Sequence, residues 1–238
     1  MQQSEIEVRA AYEKHARACD PKDFQSQVMR TPFGKPVGQD QVALLVEGVA
    51  RGLAIEPQDI LLDLCCGNGA ITDPLFARCR GGVGVDFTPY LIEVAKTNFE
   101  KPPERLYRLG DVLDYVETTE DTEHFTKVMC YGAFQCLIEE KAARVLAALR
   151  ERFPNVQRVF LGNLPDLSGV ELFWQKYMGR ETPSHSELKR HDTLIGIWRD
   201  EMEIAKLAEQ SRWQVQISRM PPAYYGADVR FDAILTPI

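Results

Sequence analysis

The sequence has little of what metal centres, secretion and membrane insertion require. Its six cysteines, Cys19, Cys65, Cys66, Cys79, Cys130 and Cys136, form no Cys-x-x-Cys pair, and no Cys/His group has zinc-site spacing. No metal is expected. Most of these cysteines stand in apolar runs, where the residue behaves as a small hydrophobe. The opening Met1-Gln2-Gln3-Ser4-Glu5 lacks the basic and apolar regions of a signal peptide. No apolar run reaches membrane-spanning length. These absences predict a reduced, cytoplasmic protein with no membrane partner. An excess of basic residues is also missing: 28 Lys and Arg stand against 35 Asp and Glu, for a net charge of −7. Such a chain repels phosphate backbones on average, so no nucleic-acid partner is expected. There is no internal repeat and no low-complexity tract.

What is present is ordinary globular composition, 45% hydrophobic and 26% charged over 238 residues, enough for one enlarged α/β domain. Ser4-Glu5-Ile6-Glu7 fits a capping box and predicts a helix to about Ala18, ended by Cys19-Asp20-Pro21. Residues 20–38 read as a loop carrying Arg30 and Lys35. Val42, Leu45, Val46, Val49 and Leu53 have helical spacing. From residue 60 onward, short apolar runs alternate with amphipathic stretches. Strands are predicted at 60–63, 83–86, 105–109, 127–131 and 159–162, with helices after the first, second and fourth. That order argues a doubly wound, mostly parallel sheet with helices on both faces. A helix is expected over Glu201–Gln210. Trp213–Ile217 and Val229–Leu235 alternate as half-buried strands and predict a C-terminal antiparallel hairpin, completing seven strands.

The most informative stretch is Asp63-Leu64-Cys65-Cys66-Gly67-Asn68-Gly69. An apolar strand ends in an acid, and a glycine turn leads into a helix. A dinucleotide fingerprint would need a third glycine where Thr72 stands. An acid at Asp63 would also repel a pyrophosphate, whereas it would attract an ammonium group. Asp86 and Asp111 follow the second and third strands. Three acids at three strand ends suit a ligand with an amine, a sulfonium and ribose hydroxyls but no phosphate. Asp86 would accept from the ribose hydroxyls, Asp111 from the adenine amine, and Phe87 would offer the ring an apolar face.

In these residues the chain resembles the class I, Rossmann-like, S-adenosylmethionine-dependent methyltransferases. Their acid-x-Gly-x-Gly-x-Gly motif is matched by Asp63 to Gly69, with Cys65 in place of the first glycine. Val83-Gly84-Val85-Asp86-Phe87, Gly110-Asp111-Val112 and Tyr131-Gly132-Ala133-Phe134 match the later motifs. The resemblance covers about residues 55–163 and 201–238. It implies S-adenosylmethionine as cofactor and S-adenosylhomocysteine as product. The implied cofactor contacts are Asp63, Cys65, Gly67, Asn68, Gly69, Asp86, Phe87, Asp111, Val112, Tyr131 and Gly132.

The acceptor is less legible. The segment after strand four lacks the Asn/Asp-Pro-Pro-Tyr/Phe of amino-methylating nucleic-acid enzymes. A small-molecule acceptor is expected, with oxygen favoured over nitrogen, in a sugar, surface-polysaccharide or secondary-metabolite pathway. Residues 1–54 are read as an N-terminal helical lid and 55–238 as the methyltransferase domain, with an aromatic-rich insertion at about 164–200 that completes the lid. His185 and His191 in that insertion are the candidate catalytic residues; His15 and His124 read as surface residues. A monomer or a homodimer is expected. The alternatives are an NAD(P)-dependent oxidoreductase and a non-catalytic subunit that kept the fold.

Overall fold

The computed structural model describes residues 3–190 and 195–238, with side chains from Ile6 onward. The chain opens with α1 (Gln3–Ala18), a short α2 (Phe24–Gln27) and α3 (Gln39–Leu53). Alternation then gives β1 (Leu61–Leu64), α4 (Thr72–Phe76), β2 (Gly82–Asp86), α5 (Pro89–Phe99), β3 (Arg105–Leu109), α6 (Val112–Thr118), β4 (Lys127–Tyr131), α7 (Glu139–Arg152) and β5 (Arg158–Pro165). After two short helices, α8 (Val170–Phe173) and α9 (His185–Leu188), come α10 (Glu201–Gln210), β6 (Trp213–Arg219) and β7 (Arg230–Pro237).

The seven strands form one sheet in the order β3-β2-β1-β4-β5-β7-β6. The first five are parallel; β7 runs antiparallel between β5 and β6. The expected doubly wound sheet with its C-terminal hairpin is therefore present. Strand order reverses between β1 and β4, the place where such sheets open a crevice at their carboxyl ends.

Two cores cover the two faces. Val42, Leu45, Val49 and Leu53 of α3, Phe76 of α4 and Ile92 of α5 pack on one. The other is filled by Leu113 and Val116 of α6, Leu146 and Leu149 of α7, and Ile204 and Leu207 of α10. The strict alternation of a strand decides which core each β1 residue joins. Leu61 enters the first, Leu62 and Leu64 the second, which turns Asp63 toward α4.

Three local readings change. The helix after the glycine turn is only five residues long. Helix α6 is additional to the expected elements; Asp111 caps it by accepting from the Leu113 and Asp114 backbone N–H groups. Helix α1 begins at Gln3, so Ser4 lies inside it rather than at its cap. The N-terminal segment is tied to the sheet's edge. Glu13 accepts from the Tyr90 backbone at 3.1 Å, and Phe24 meets Phe99 edge-on at 5.4 Å.

Candidate functional site

The turn after β1 is built from left-handed backbone. Cys65 has φ +67°, Gly67 +57° and Gly69 +80°. Only glycine adopts this region freely; a residue with a Cβ gives up about 1–2 kcal/mol. The position where the family motif has glycine thus keeps the glycine conformation with a cysteine in it. At Gly67 an added Cβ would meet Val28 at 2.9 Å, and at Gly69 the Tyr107 ring at 2.9 Å. Both glycines make room for the protein's own side chains.

The turn is held from two sides. Gly67 N–H donates to Asp86 Oδ2 at 2.9 Å, and Thr88 N–H donates to Asp86 Oδ1 at 2.8 Å. Burial raises the Asp86 carboxyl above its ordinary value, against the pull of these donors. Asn68 donates its amide hydrogens to the Phe24 carbonyl at 2.8 Å and to Gln27 Oε1 at 2.9 Å. This side chain clasps the N-terminal segment onto the turn.

Asp63 is 1% exposed. Thr72 Oγ1 donates to its Oδ2, while Oδ1 has no partner among the described residues. Burial pushes its carboxyl up to about 7, with the Thr72 hydroxyl pulling the other way. An orphaned, buried carboxylate oxygen beside a glycine turn fits a site that receives a positively charged group.

A cavity of about 1090 Å³ opens at the carboxyl edge of the sheet. Of the expected cofactor residues, Cys65, Gly67, Asp86, Phe87, Asp111, Val112, Tyr131 and Gly132 line it together. Asp63, Asn68 and Gly69 stand behind its wall. Asp111 is more heavily committed than the sequence suggests. Oδ1 caps α6, and Oδ2 pairs with Arg9 and with Lys141 at 2.8 Å. Burial raises its carboxyl, but the Lys141 ammonium, the Leu113 N–H and Arg9 together hold it below the usual value. Arg9 also lies over the Phe87 ring, 5.0 Å from its centre.

The histidines are arranged differently from expectation. His185 is exposed at the start of α9 and is not among the cavity residues. His191 lies outside the described residues. His15 lines the cavity, with Nε2 2.8 Å from the Ser26 carbonyl. Helical phase carries the signal for this: Val8, Tyr12 and His15 recur at four and three residues, and all three line the cavity.

Asn163, in the segment after the fifth strand that the sequence offers for the acceptor pocket, lines the cavity, whereas the sequence reading missed Arg9, Tyr12, Tyr225 and Arg230, which come from α1 and the β6–β7 connection into β7. Among the described residues, no group of His, Cys, Asp and Glu could hold a metal ion. No described helix is long and apolar enough to cross a membrane.

Residues 61–153 match the sequence model of a family described as a methyltransferase domain. An uncharacterized methyltransferase of Schizosaccharomyces pombe is 36% identical over 55 residues, 23% of this chain and 21% of that protein. A 23S rRNA uracil-C5 methyltransferase of Mannheimia succiniciproducens is 32% identical over 80 residues, 32% of this chain and 18% of that protein. The matches thus span about a fifth of the length of these curated relatives. A magnesium protoporphyrin IX methyltransferase from Synechocystis, solved with bound S-adenosylmethionine, superposes with a TM-score of 0.63 at 12% identity, covering 100% of this chain and 99% of that one. With the strand order, the glycine turn and the acid at the end of β2, these matches give the chain the class I, Rossmann-like methyltransferase fold and mark residues 61–153 as similar to a methyltransferase domain.

Proposed function

We propose that the chain transfers a methyl group from S-adenosylmethionine to a small-molecule acceptor, with oxygen favoured over nitrogen. The observation that carries this reading is one continuous cavity joining the two halves of the sheet edge. Its 1090 Å³ sits just above the range usual for one drug-sized ligand, so it has room for a cofactor and a small acceptor side by side.

The residues at the β1–β2–β3 end suit the cofactor. Asp86 is the acceptor for ribose hydroxyls, and Phe87 offers a face for adenine. Cys65, Gly67, Val112, Tyr131 and Gly132 shape the wall. Arg30 lines the cavity, donates to Gln25 Oε1 at 3.1 Å and forms no ion pair with a carboxylate among the described residues. We assign it to the cofactor's carboxylate, because its charge is felt by Asp63 at the turn. Asp63 supplies negative charge to the ammonium end from behind the wall. Asn68 and Gly69 set the shape of the turn, and Asp111 orders α6 and Arg9 beside the adenine face.

When bound, the cofactor supplies an electrophilic methyl group. The chain's share is alignment and exclusion of water. An acceptor hydroxyl must also lose a proton. His15 is the group we assign to take it. With its Nε2–H donated to Ser26, the neutral ring leaves Nδ1 as an acceptor. The described parts of the N-terminal segment and of the 164–200 insertion form the lid. Phe33 of the first stacks on Tyr177 of the second at 5.0 Å, and Phe33 is 64% exposed with φ +54°.

Isothermal titration with S-adenosylhomocysteine and with NAD separates the readings. Micromolar binding of S-adenosylhomocysteine and none of NAD is expected. Binding of NAD alone would favour the oxidoreductase, and binding of neither the non-catalytic subunit.

A further inference from the structure

The charges lining the cavity are not evenly spread. The acids, Asp86, Asp111, Asp114 and Glu140, all lie on the β2, β3–α6 and α7 side. Arg9 and Lys141 are paired with Asp111, and Arg144 with Glu117. The half over β5 and β7 has a different character. Phe33, Phe173, Tyr177 and Tyr225 line it with Arg230 at the start of β7, while Arg30, which also lines the cavity, acts on Asp63 and Tyr131 at the β1–β4 junction.

Arg230 is held by rings. Its guanidinium carbon lies 5.6 Å from the Phe173 ring centre and 5.7 Å from that of Trp198. Its hydrogen bonding is sparse: Nη1 reaches the Asn163 carbonyl at 3.5 Å. Arg230 forms no ion pair with a carboxylate among the described residues. Burial lowers its pKa from the usual arginine value, and the phenols of Tyr225, Tyr131, Tyr224 and Tyr177 pull it back, with the Cys136 thiol also within reach of its charge. A guanidinium has five N–H donors in one plane. The two ring centres are only 5.1 Å apart, so both rings lie to one side of the guanidinium and leave its other side for a hydrogen-bonding partner. A half-buried cation without a counter-charge is costly, and an incoming anion offsets the cost.

We infer that the acceptor is a planar, aromatic small molecule bearing a carboxylate, which Arg230 holds while the aromatic walls take the ring. The inference rests on the reading of the cavity as a joint cofactor and acceptor site. A single guanidinium matches one carboxylate in a two-pronged pair. A phosphate chain would call for several cations, and the described residues of this half supply one.

The probes are benzoate, anthranilate, 4-hydroxybenzoate and indole-3-acetate, each set beside its primary amide, with phenyl phosphate as a dianion. Affinity is measured by titration calorimetry and thermal shift on the protein saturated with S-adenosylhomocysteine. Wild type should favour at least one carboxylate over its amide by roughly tenfold to a hundredfold, the range for hydrogen bonds to charged groups. Arg230→Gln should remove that preference and Arg230→Lys should restore part of it. Both variants should still bind S-adenosylhomocysteine, which shows that they are folded and separates this test from the cofactor reading. If wild type fails to bind S-adenosylhomocysteine, the functional reading fails. With that binding intact, three results would each overturn the inference: no carboxylate preferred over its amide, tighter binding of phenyl phosphate than of any carboxylate, or an undiminished preference in Arg230→Gln.

Discussion

Asp63 gives the sharpest quantitative expectation. Its carboxyl is moved from 3.8 to about 7 by burial. In the unfolded chain it ionises near pH 4; in the folded chain it stays protonated until about pH 7. Its contribution to stability is therefore fully present below about pH 4 and is lost as pH rises through about 7. The span corresponds to about 4 kcal/mol, a ceiling because buried sites relax around a charge. Asp63→Asn puts a neutral amide in the same place, and its oxygen still accepts from Thr72. The variant should match wild type near pH 4 and gain on it steadily up to about pH 7. At about 2–4 °C per kcal/mol for a chain of this size, the gain in Tm at pH 8 is several degrees. Scanning fluorimetry across pH 4–8, read as variant minus wild type, cancels the other carboxyls. Cofactor binding should move the opposite way. A charge acting through the turn is worth about 1 kcal/mol or somewhat more, so S-adenosylhomocysteine affinity at pH 8 should fall roughly tenfold. A variant less stable than wild type at pH 8, or a Tm difference independent of pH, would refute the reasoning.

Other substitutions test the turn, the base and the lid. Gly67→Val and Gly69→Val should abolish S-adenosylhomocysteine binding in calorimetry and also lower Tm, because the added carbons strike Val28 and Tyr107; retained tight binding would show that the turn does not organise the site. Cys65→Gly should keep binding and raise stability by about 1 kcal/mol, the left-handed penalty, measured by urea unfolding. His15→Gln should lower kcat by roughly tenfold or more with little change in cofactor affinity, once an acceptor is in hand; an unchanged kcat would exclude His15 as the base. Phe33→Gly relieves the positive φ and removes the stack on Tyr177, so Tm should change little while acceptor KM rises severalfold. In hydrogen exchange, S-adenosylhomocysteine should increase protection in α1 and in residues 164–190; unchanged protection in both would count against the lid.

What the sequence by itself determined was the order of elements and the existence of the turn. Strand and helix periodicities are local, and so are the stops set by glycine and proline. The run from Asp63 to Gly69, the acid ending β2 and the alternating strands near the C-terminus all stand where local pattern puts them. Helix α6 is legible in principle: Asp111 is a good cap, and Val112, Leu113 and Val116 share one face. Reading Asp111 only as a ligand contact hides its work as a cap. What only the tertiary structure decided was which side chains share the cavity. Strand alternation turns Asp63 toward Thr72 and behind the wall. The clasp from Asn68 to Phe24 and Gln27 joins positions more than 40 residues apart. His15 reaches the cavity because α1 lies across the sheet edge, and Arg230 meets Asn163 because β7 inserts beside β5, 67 residues later. Spacing along the chain carries no record of such meetings. They follow from how two cores pack on the two faces of one sheet.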